Sequence, residues 1–312
     1  MVGNRNEPAV ERLSKPVRIT EQVWPEGTRP VVSVFNWTYN HAKFIRQSID
    51  SILMQKTRFP VEIIIHDDAS TDGTTQIIRD FQAKYPKLFF NKIQSENQWS
   101  QGKSVVSDLF TRPRGEILAL THGDDYWTDP YKLEIQASFI EERPSVSCCF
   151  HTSSLVDEEG VTISQCYYRP LKDTFSFSDC VSTLRKKYAT SSMVFRTKAL
   201  HPPRFWLQAN PNDQFIELQL ALAGHIAFLD RNMSAYRKHH NGVWTGAHPK
   251  ERTLQLLYRY QLLLLDAEVT TLAGEQITSL IKQTEDNLRH TSECGIMGAW
   301  RNALRDFARG TG

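Results

Sequence analysis

Two adjacent carboxylates, Asp124 and Asp125, end an apolar run in "LALTHGDDYWTDPYK" (Leu118–Lys132), after a glycine and ahead of two aromatic residues. Like charges this close repel unless water or a cation screens them, so the pair is either a polar turn opening a helix or a seat for a divalent cation. A second pair, Asp67 and Asp68, opens "HDDASTDGT" (His66–Thr74), again directly after an apolar run. A carboxylate there can accept the N3–H of uracil or thymine, or the N1–H of guanine, whereas cytosine offers no ring donor. Asp68, Ser70, Asp72 and Gly73 imitate the start of an EF-hand loop, but Arg79 stands where that loop needs its bidentate Glu, so a calcium loop is excluded. An ordinary strand-to-helix turn, with Asp72 or Ser70 as cap and Gly73 easing the bend, explains the end of the segment but not the Asp67–Asp68 pair.

These clusters need elements to position them. "VVSVFN" (Val31–Asn36) reads as a strand, and "HAKFIRQSIDSILMQ" after it places Phe44, Ile45, Ile49, Ile52 and Leu53 near one helical face. "VEIIIH" (Val61–His66) reads as a second strand, followed by a helix carrying Ile77, Ile78 and Phe81. "LFFNKI" and "EILALT" read as two more strands, with a helical segment at Lys103–Thr111 between them. This alternation argues an α/β fold with a mostly parallel sheet flanked by helices, and in such sheets ligands sit beyond the carboxyl ends of the strands. "NWTYNH" (Asn36–His41) and both aspartate pairs fall at such ends.

At 312 residues, 40% hydrophobic and with a formal charge of +2, the chain has the composition of a soluble globular protein without the basic footprint of a nucleic-acid binder. Neither G-x-G-x-x-G after the first strand nor G-x-x-x-x-G-K-[ST] occurs, so a nucleoside diphosphate would need another source of positive charge. Mg²⁺ or Mn²⁺ on carboxylate oxygens is the obvious one, which gives Asp124 and Asp125 a chemical purpose. Five cysteines without CxxC spacing suggest neither a disulfide framework nor a zinc site and fit a reducing cytosol. Residues 1–28 lack the apolar core of a secretory signal and read as a loosely ordered lead-in. "LLYRYQLLLLDAEV" (Leu256–Val269) is interrupted by Arg259 and Asp266 and too short to span a bilayer; it reads as a packed amphipathic helix, with a membrane-surface or oligomer helix as the second reading of the same segment.

In order, "VSVFNWTYNHAKFIRQSIDSIL", "VEIIIHDDASTDGT", "GEILALTHGDDYWTDPYKL" and "NDQFIELQLALAGHIAFLDRNMSAYRKHHNGVW" resemble the successive segments of glycosyltransferase family 2. The resemblance implies a GT-A-like, Rossmann-related domain at 29–248, followed by a helical C-terminal region at 249–312. It implies transfer of a sugar from a nucleotide-diphosphate donor, a UDP-sugar by the base reading, to a glycan or lipid-linked glycan acceptor, with inversion and a divalent metal, in surface polysaccharide or lipopolysaccharide synthesis. Carried over by position, it assigns Thr38 and Tyr39 to the nucleotide and Asp67 or Asp68 to the base, with Asp68 preferred. Asp124 falls by the ribose and metal, Asp125 at the metal and diphosphate, His239 at the diphosphate or metal, and Asp213 at the general base. Lys103 is a candidate for phosphate, and Trp127, Trp206 and Trp244 for stacking on sugars. One departure stands out: His122 occupies the place where many members have the first acid of D-x-D. A cytoplasmic location, at the inner membrane face or in a homo-oligomer, completes the expectation. The rivals are a nucleotide-sugar phosphohydrolase, which would hydrolyse donor without acceptor, and a binding module, which would show no turnover.

Overall fold

The computed structural model describes residues 11–101, 103, 105–182, 188–201, 213–240, 253–254, 257–258, 260–261, 263–264 and 267–289. Strands β1 (Val17–Arg18) and β3 (Lys56–Thr57) make a small antiparallel ribbon. The other strands are β2 (Val32–Thr38), β4 (Val61–Asp67), β5 (Lys92–Ile93), β6 (Ile117–His122), β7 (Tyr126–Trp127), β8 (Val146–Val156), β9 (Thr162–Ser164), β10 (Thr174–Phe175), β11 (Val194–Arg196) and β12 (His225–Arg237). They form one sheet in the order β10-β12-β8-β11-β6-β2-β4-β5, with β7 added on β12 and β9 on β8. The run β6-β2-β4-β5 is parallel throughout, and β8 and β12 are parallel to each other. The short β11 runs antiparallel to both β6 and β8 and joins the two halves.

Both faces of the parallel half are covered, which is why its strands read as nearly continuous apolar runs. Val32, Val34, Ile63, Ile65, Ile117 and Ala119 face one core. Their neighbours Phe35, Ile64, Leu118 and Leu120 face the other. Helices α1 (Ile45–Leu53), α2 (Thr74–Lys84) and α3 (Lys132–Glu141) supply Ile45, Ile49, Ile52, Ile78, Leu133 and Ile140 to the first core. The helix Asp213–Ala223 supplies Phe215, Ile216 and Leu220 to the second, where Tyr260, Leu263, Val269, Ala273 and Ile277 also pack. Of the segment 256–269, expected to pack, the described residues Tyr260, Leu263 and Val269 are thus buried in this second core. No described helix is long and apolar enough to cross a membrane.

Three segments differ from the sequence expectation. "LFFNKI" contributes only the two residues of β5 and an isolated bridge from Phe89 to Ile63, because the chain leaves the sheet edge there to cross over the strand ends. Within Lys103–Thr111 the described helical turn is a 3₁₀ segment, Ser107–Phe110. The lead-in is anchored from Leu13, whose N–H bonds the Arg58 carbonyl, while Ile19 is buried in the first core.

Lys132 is buried, with its ammonium 4.3 Å from the centroid of the Trp127 ring and no hydrogen-bond partner among the described residues. Burial lowers its pKa to about 7. The unfolded lysine titrates near about 10.4, so between those values the unfolded chain binds the proton and the folded chain does not, and stability rises with pH. Lys132→Met keeps the volume and removes this cost. It should stabilise the protein at pH 7 by on the order of 1–3 kcal/mol and flatten the rise between pH 7 and 9, read by urea unfolding. A variant less stable than wild type at pH 7, with the pH dependence intact, would show that the ammonium is compensated.

Candidate active site

The parallel register brings the three polar clusters side by side. Thr38 at the end of β2 pairs with Asp67 at the end of β4, and Trp37 pairs with His122 at the end of β6. Gly123 follows β6 against the β2 loop: a Cβ there would lie 2.3 Å from Thr38 Oγ1 and 2.8 Å from His41 Nδ1, so only glycine fits. Helix α1 fixes the same turn with two serines. Ser48 Oγ donates to the His122 carbonyl at 3.0 Å, and Ser51 Oγ accepts the Trp127 N–H at 3.0 Å.

Asp124 Oδ2 lies 3.0 Å from His239 Nε2 and 3.8 Å from His41 Nε2. His41 Nδ1 pairs with Thr38 Oγ1 at 3.1 Å, and the His239 ring is held 5.0 Å from the Phe44 ring. Burial works against ionising Asp124, but the His239 hydrogen bond and the charges of His41, His122 and His239 hold its carboxyl well below the usual range. Burial also lowers the pKa of His41, against the pull of Asp124. Asp125 behaves oppositely: burial, then the charge of Asp124, push its carboxyl well above the usual range. Its Oδ1 accepts the Arg237 N–H at 3.0 Å, and its Oδ2 is buried with no hydrogen bond of normal geometry among the described residues.

The donor set fits a divalent cation. Ligand atoms of His41, Asp124 and His239 lie within 4.8 Å of one another, and so do those of His122, Asp124 and Asp125. A cation would let both carboxylates ionise, which buried neighbours cannot otherwise do.

Arg237 ties the site together. Its Nε donates to the Asp124 carbonyl at 3.0 Å, Nη1 to the carbonyls of Asp157 at 3.2 Å and Glu158 at 2.7 Å, and Nη2 to Gln47 Oε1 at 2.6 Å. Its guanidinium sits 4.9 Å from the Phe44 centroid and 5.4 Å from that of Tyr126. One side chain thereby joins the aspartate turn, the β8–β9 turn and α1. Sequence reasoning passed over Arg237 and His41, although both lie in the quoted "YRKHH" and "NWTYNH"; the signal was their place at strand ends.

The pair Asp67–Asp68 has a structural role that its sequence context did not reveal. Asp67 is fully buried and accepts from the Ser70 N–H at 3.1 Å, the Ser70 hydroxyl and the Thr75 hydroxyl. Asp68, 5% exposed, accepts from the backbone N–H of Gln98 at 2.7 Å and of Trp99 at 3.0 Å, pinning the segment that crosses over from β5. Asp72, one residue ahead of the Gly73 N-cap of α2, accepts the Thr74 N–H at 3.0 Å and also the Ala42 N–H at 2.9 Å. Gly73 takes the left-handed conformation there, φ 101°.

Of the other candidates, Tyr39 is 44% exposed beside this loop. Lys103 is exposed, its N–H bonded to the Gln98 carbonyl at 3.0 Å. Asp213 is the first residue of its helix, and its side chain lies outside the described residues, as do Trp206 and Trp244. Trp127 is not a stacking surface: it is 2% exposed, and its indole N–H donates to the Ser191 carbonyl at 2.9 Å. The four described cysteines, Cys148, Cys149, Cys166 and Cys180, carry free thiols.

Comparison with known proteins gives a consistent picture. The family model described as glycosyl transferase family 2 matches residues 33–241. An uncharacterized protein of Mycobacterium tuberculosis is 35% identical over 223 residues, 71% of this chain and 62% of that protein. An uncharacterized glycosyltransferase of Nostoc sp. is 27% identical over 218 residues, 67% of this chain and 65% of that one. The chain therefore spans less than two thirds of either relative's length. The crystal structure of S. aureus TarS in complex with UDP-GlcNAc is similar with a TM-score of 0.62 at 20% identity, over 88% of this chain and 80% of that one. That likeness is one of fold, the GT-A arrangement.

The fork of Arg237 makes a definite stability prediction. Lysine brings one point charge and cannot reach the acceptors that four guanidinium hydrogen bonds now satisfy. Arg237→Lys should lose about 2–4 kcal/mol of stability by chemical denaturation. A loss under about 0.5 kcal/mol, within the range of an ordinary surface change, would remove Arg237 from its structural role.

Proposed function

Since this chain belongs to glycosyl transferase family 2, we propose that it transfers a sugar from a UDP-sugar to a hydroxyl of a glycan or lipid-linked glycan acceptor, with inversion at the anomeric carbon. The observation that carries this reading is the convergence of Thr38–His41, Asp67–Asp68 and Asp124–Asp125 at the carboxyl ends of three adjacent parallel strands. Asp68 gives one lone pair of each oxygen to a backbone N–H and keeps capacity to accept the N3–H of uracil. Tyr39 offers an exposed ring to the base, and Thr38 lies beside it at the strand end. Lys103 is a further cation for the phosphates. A divalent cation, Mg²⁺ or Mn²⁺, held by Asp124, Asp125 and His239 would neutralise charge on the diphosphate.

In this reaction the acceptor oxygen bonds the anomeric carbon as the bond from that carbon to the phosphate oxygen breaks, and the electron pair leaves with the diphosphate. Asp213 takes the acceptor's proton. Its place at the start of a helix favours the ionised carboxylate that a base requires. Surface polysaccharide or lipopolysaccharide is the acceptor class proposed, and the cytoplasm, compatible with the free thiols, is the compartment.

Asp213→Asn keeps shape and helix capping but cannot take a proton. Turnover should fall by roughly a hundredfold to ten-thousandfold, while donor affinity stays within a few-fold of wild type. Wild-type turnover in this variant would reassign the base. A separate measurement addresses the cation: excess chelator and Asp125→Ala should each abolish the metal-dependent part of UDP affinity, and undiminished affinity in both would exclude the metal role. Hydrolysis of the donor to UMP and sugar 1-phosphate at the same rate with and without acceptor would favour the phosphohydrolase, and donor binding without any turnover the binding module.

A further inference from the structure

The one carboxylate oxygen Asp124 Oδ2 is approached by two imidazole nitrogens, His239 Nε2 at 3.0 Å and His41 Nε2 at 3.8 Å. The two rings meet edge-on at 6.0 Å, and all three candidate ligand atoms lie within 4.8 Å of one another. Ligand atoms sharing one ion at about 2.0–2.2 Å sit roughly 3–3.5 Å apart, so this cluster is close to a coordination shell. The His41 nitrogen facing away is already used: Nδ1 pairs with Thr38 Oγ1 at 3.1 Å, which directs Nε2 into the cluster. Metal-bound histidines are oriented in this way by a partner on the other nitrogen. Gly123 gives the room, since a Cβ there would collide with both Thr38 and His41.

Resting on the metal-assisted reading above, we infer that His41 is a direct ligand of the divalent cation, adding to Asp124, Asp125 and His239 a second imidazole that selects Mn²⁺ over Mg²⁺. Mg²⁺ demands a near-octahedral shell of oxygens, whereas Mn²⁺, a transition metal, accepts imidazole nitrogen beside carboxylate more readily than Mg²⁺ does. His41 thereby supplies a donor on the β2 side of the site, where His122 brings no negative charge from β6.

The test is Mn²⁺ binding to the full chain, with and without UDP, followed by electron paramagnetic resonance. Free Mn²⁺ gives the affinity, and echo modulation from ¹⁴N counts imidazoles on the bound ion. Wild type should show two imidazoles and bind Mn²⁺ more than tenfold tighter than competing Mg²⁺. His41→Ala should show one imidazole, lose about tenfold or more in Mn²⁺ affinity, and lose the preference over Mg²⁺. His41→Gln, which preserves polarity and approximate size, serves if the alanine variant melts early in the absence of metal. The same nitrogen count and Mn²⁺ affinity in either variant would place His41 outside the shell and leave the metal reading intact. Weaker UDP binding with unchanged Mn²⁺ affinity would overturn the inference too, making His41 a diphosphate contact. Wild-type protein that binds no Mn²⁺ even with UDP would overturn both the inference and the metal reading, before any variant is compared.

Discussion

Adjacent carboxylates, Asp125 buried and Asp124 partly so, are the constraint around which this molecule is organised. Asp124 and Asp125 occupy successive positions, yet their surroundings drive them apart: histidines hold Asp124 ionised, while burial and the charge of Asp124 push Asp125 toward its protonated form. Such an arrangement stores a demand for positive charge at one point on the protein. The demand is met in part by imidazoles from two distant segments, His41 and His239, and by the Arg237 N–H on Asp125 Oδ1. Nothing local to "GDD" could supply any of these.

Holding the aspartates at that point takes a chain of polar clasps. Ser48 and Ser51 on α1 grip the turn from below, Arg237 grips it from β12, and Gly123 lets it press against Thr38. The neighbouring base-side loop is built in the same way. Asp67 closes its own turn, Asp68 pins the crossing segment at Gln98 and Trp99, and Asp72 holds both α2 and the loop after β2. Functional side chains therefore share their hydrogen bonds with the scaffold. This pre-organises a polar ligand site, because orientation is settled before any ligand arrives.

The sheet explains why these clasps meet. Parallel strands β6, β2 and β4 put three carboxyl ends on one edge, and two apolar cores, one on each face, lock their registers. A shift of one residue would turn Val34 and Phe35 into each other's cores and move Thr38 away from Asp67. The precision of the site is inherited from apolar packing at some distance from it. Lys132, buried over Trp127, is the cost visible within that packing.

Local pattern in the sequence determined the parallel half of the fold, because strands buried on both faces and amphipathic helices announce themselves through periodicity. It also marked the polar clusters, because charged residues directly after apolar runs conflict with burial unless they have work to do. The antiparallel β11 that joins the half-sheets was not legible, since three residues carry no period and their pairing is decided by β6 and β8. Nor could periodicity assign Trp127 to the core rather than the surface, because an aromatic ring suits either and only its neighbours choose. The double duty of Asp67 and Asp68 needed the tertiary structure for the same reason: their partners include backbone N–H groups, which every residue has and no motif displays. His41 and His239 are 6.0 Å apart in space and separated by almost the whole domain in sequence, so their meeting on Asp124 is a property of the closed fold alone.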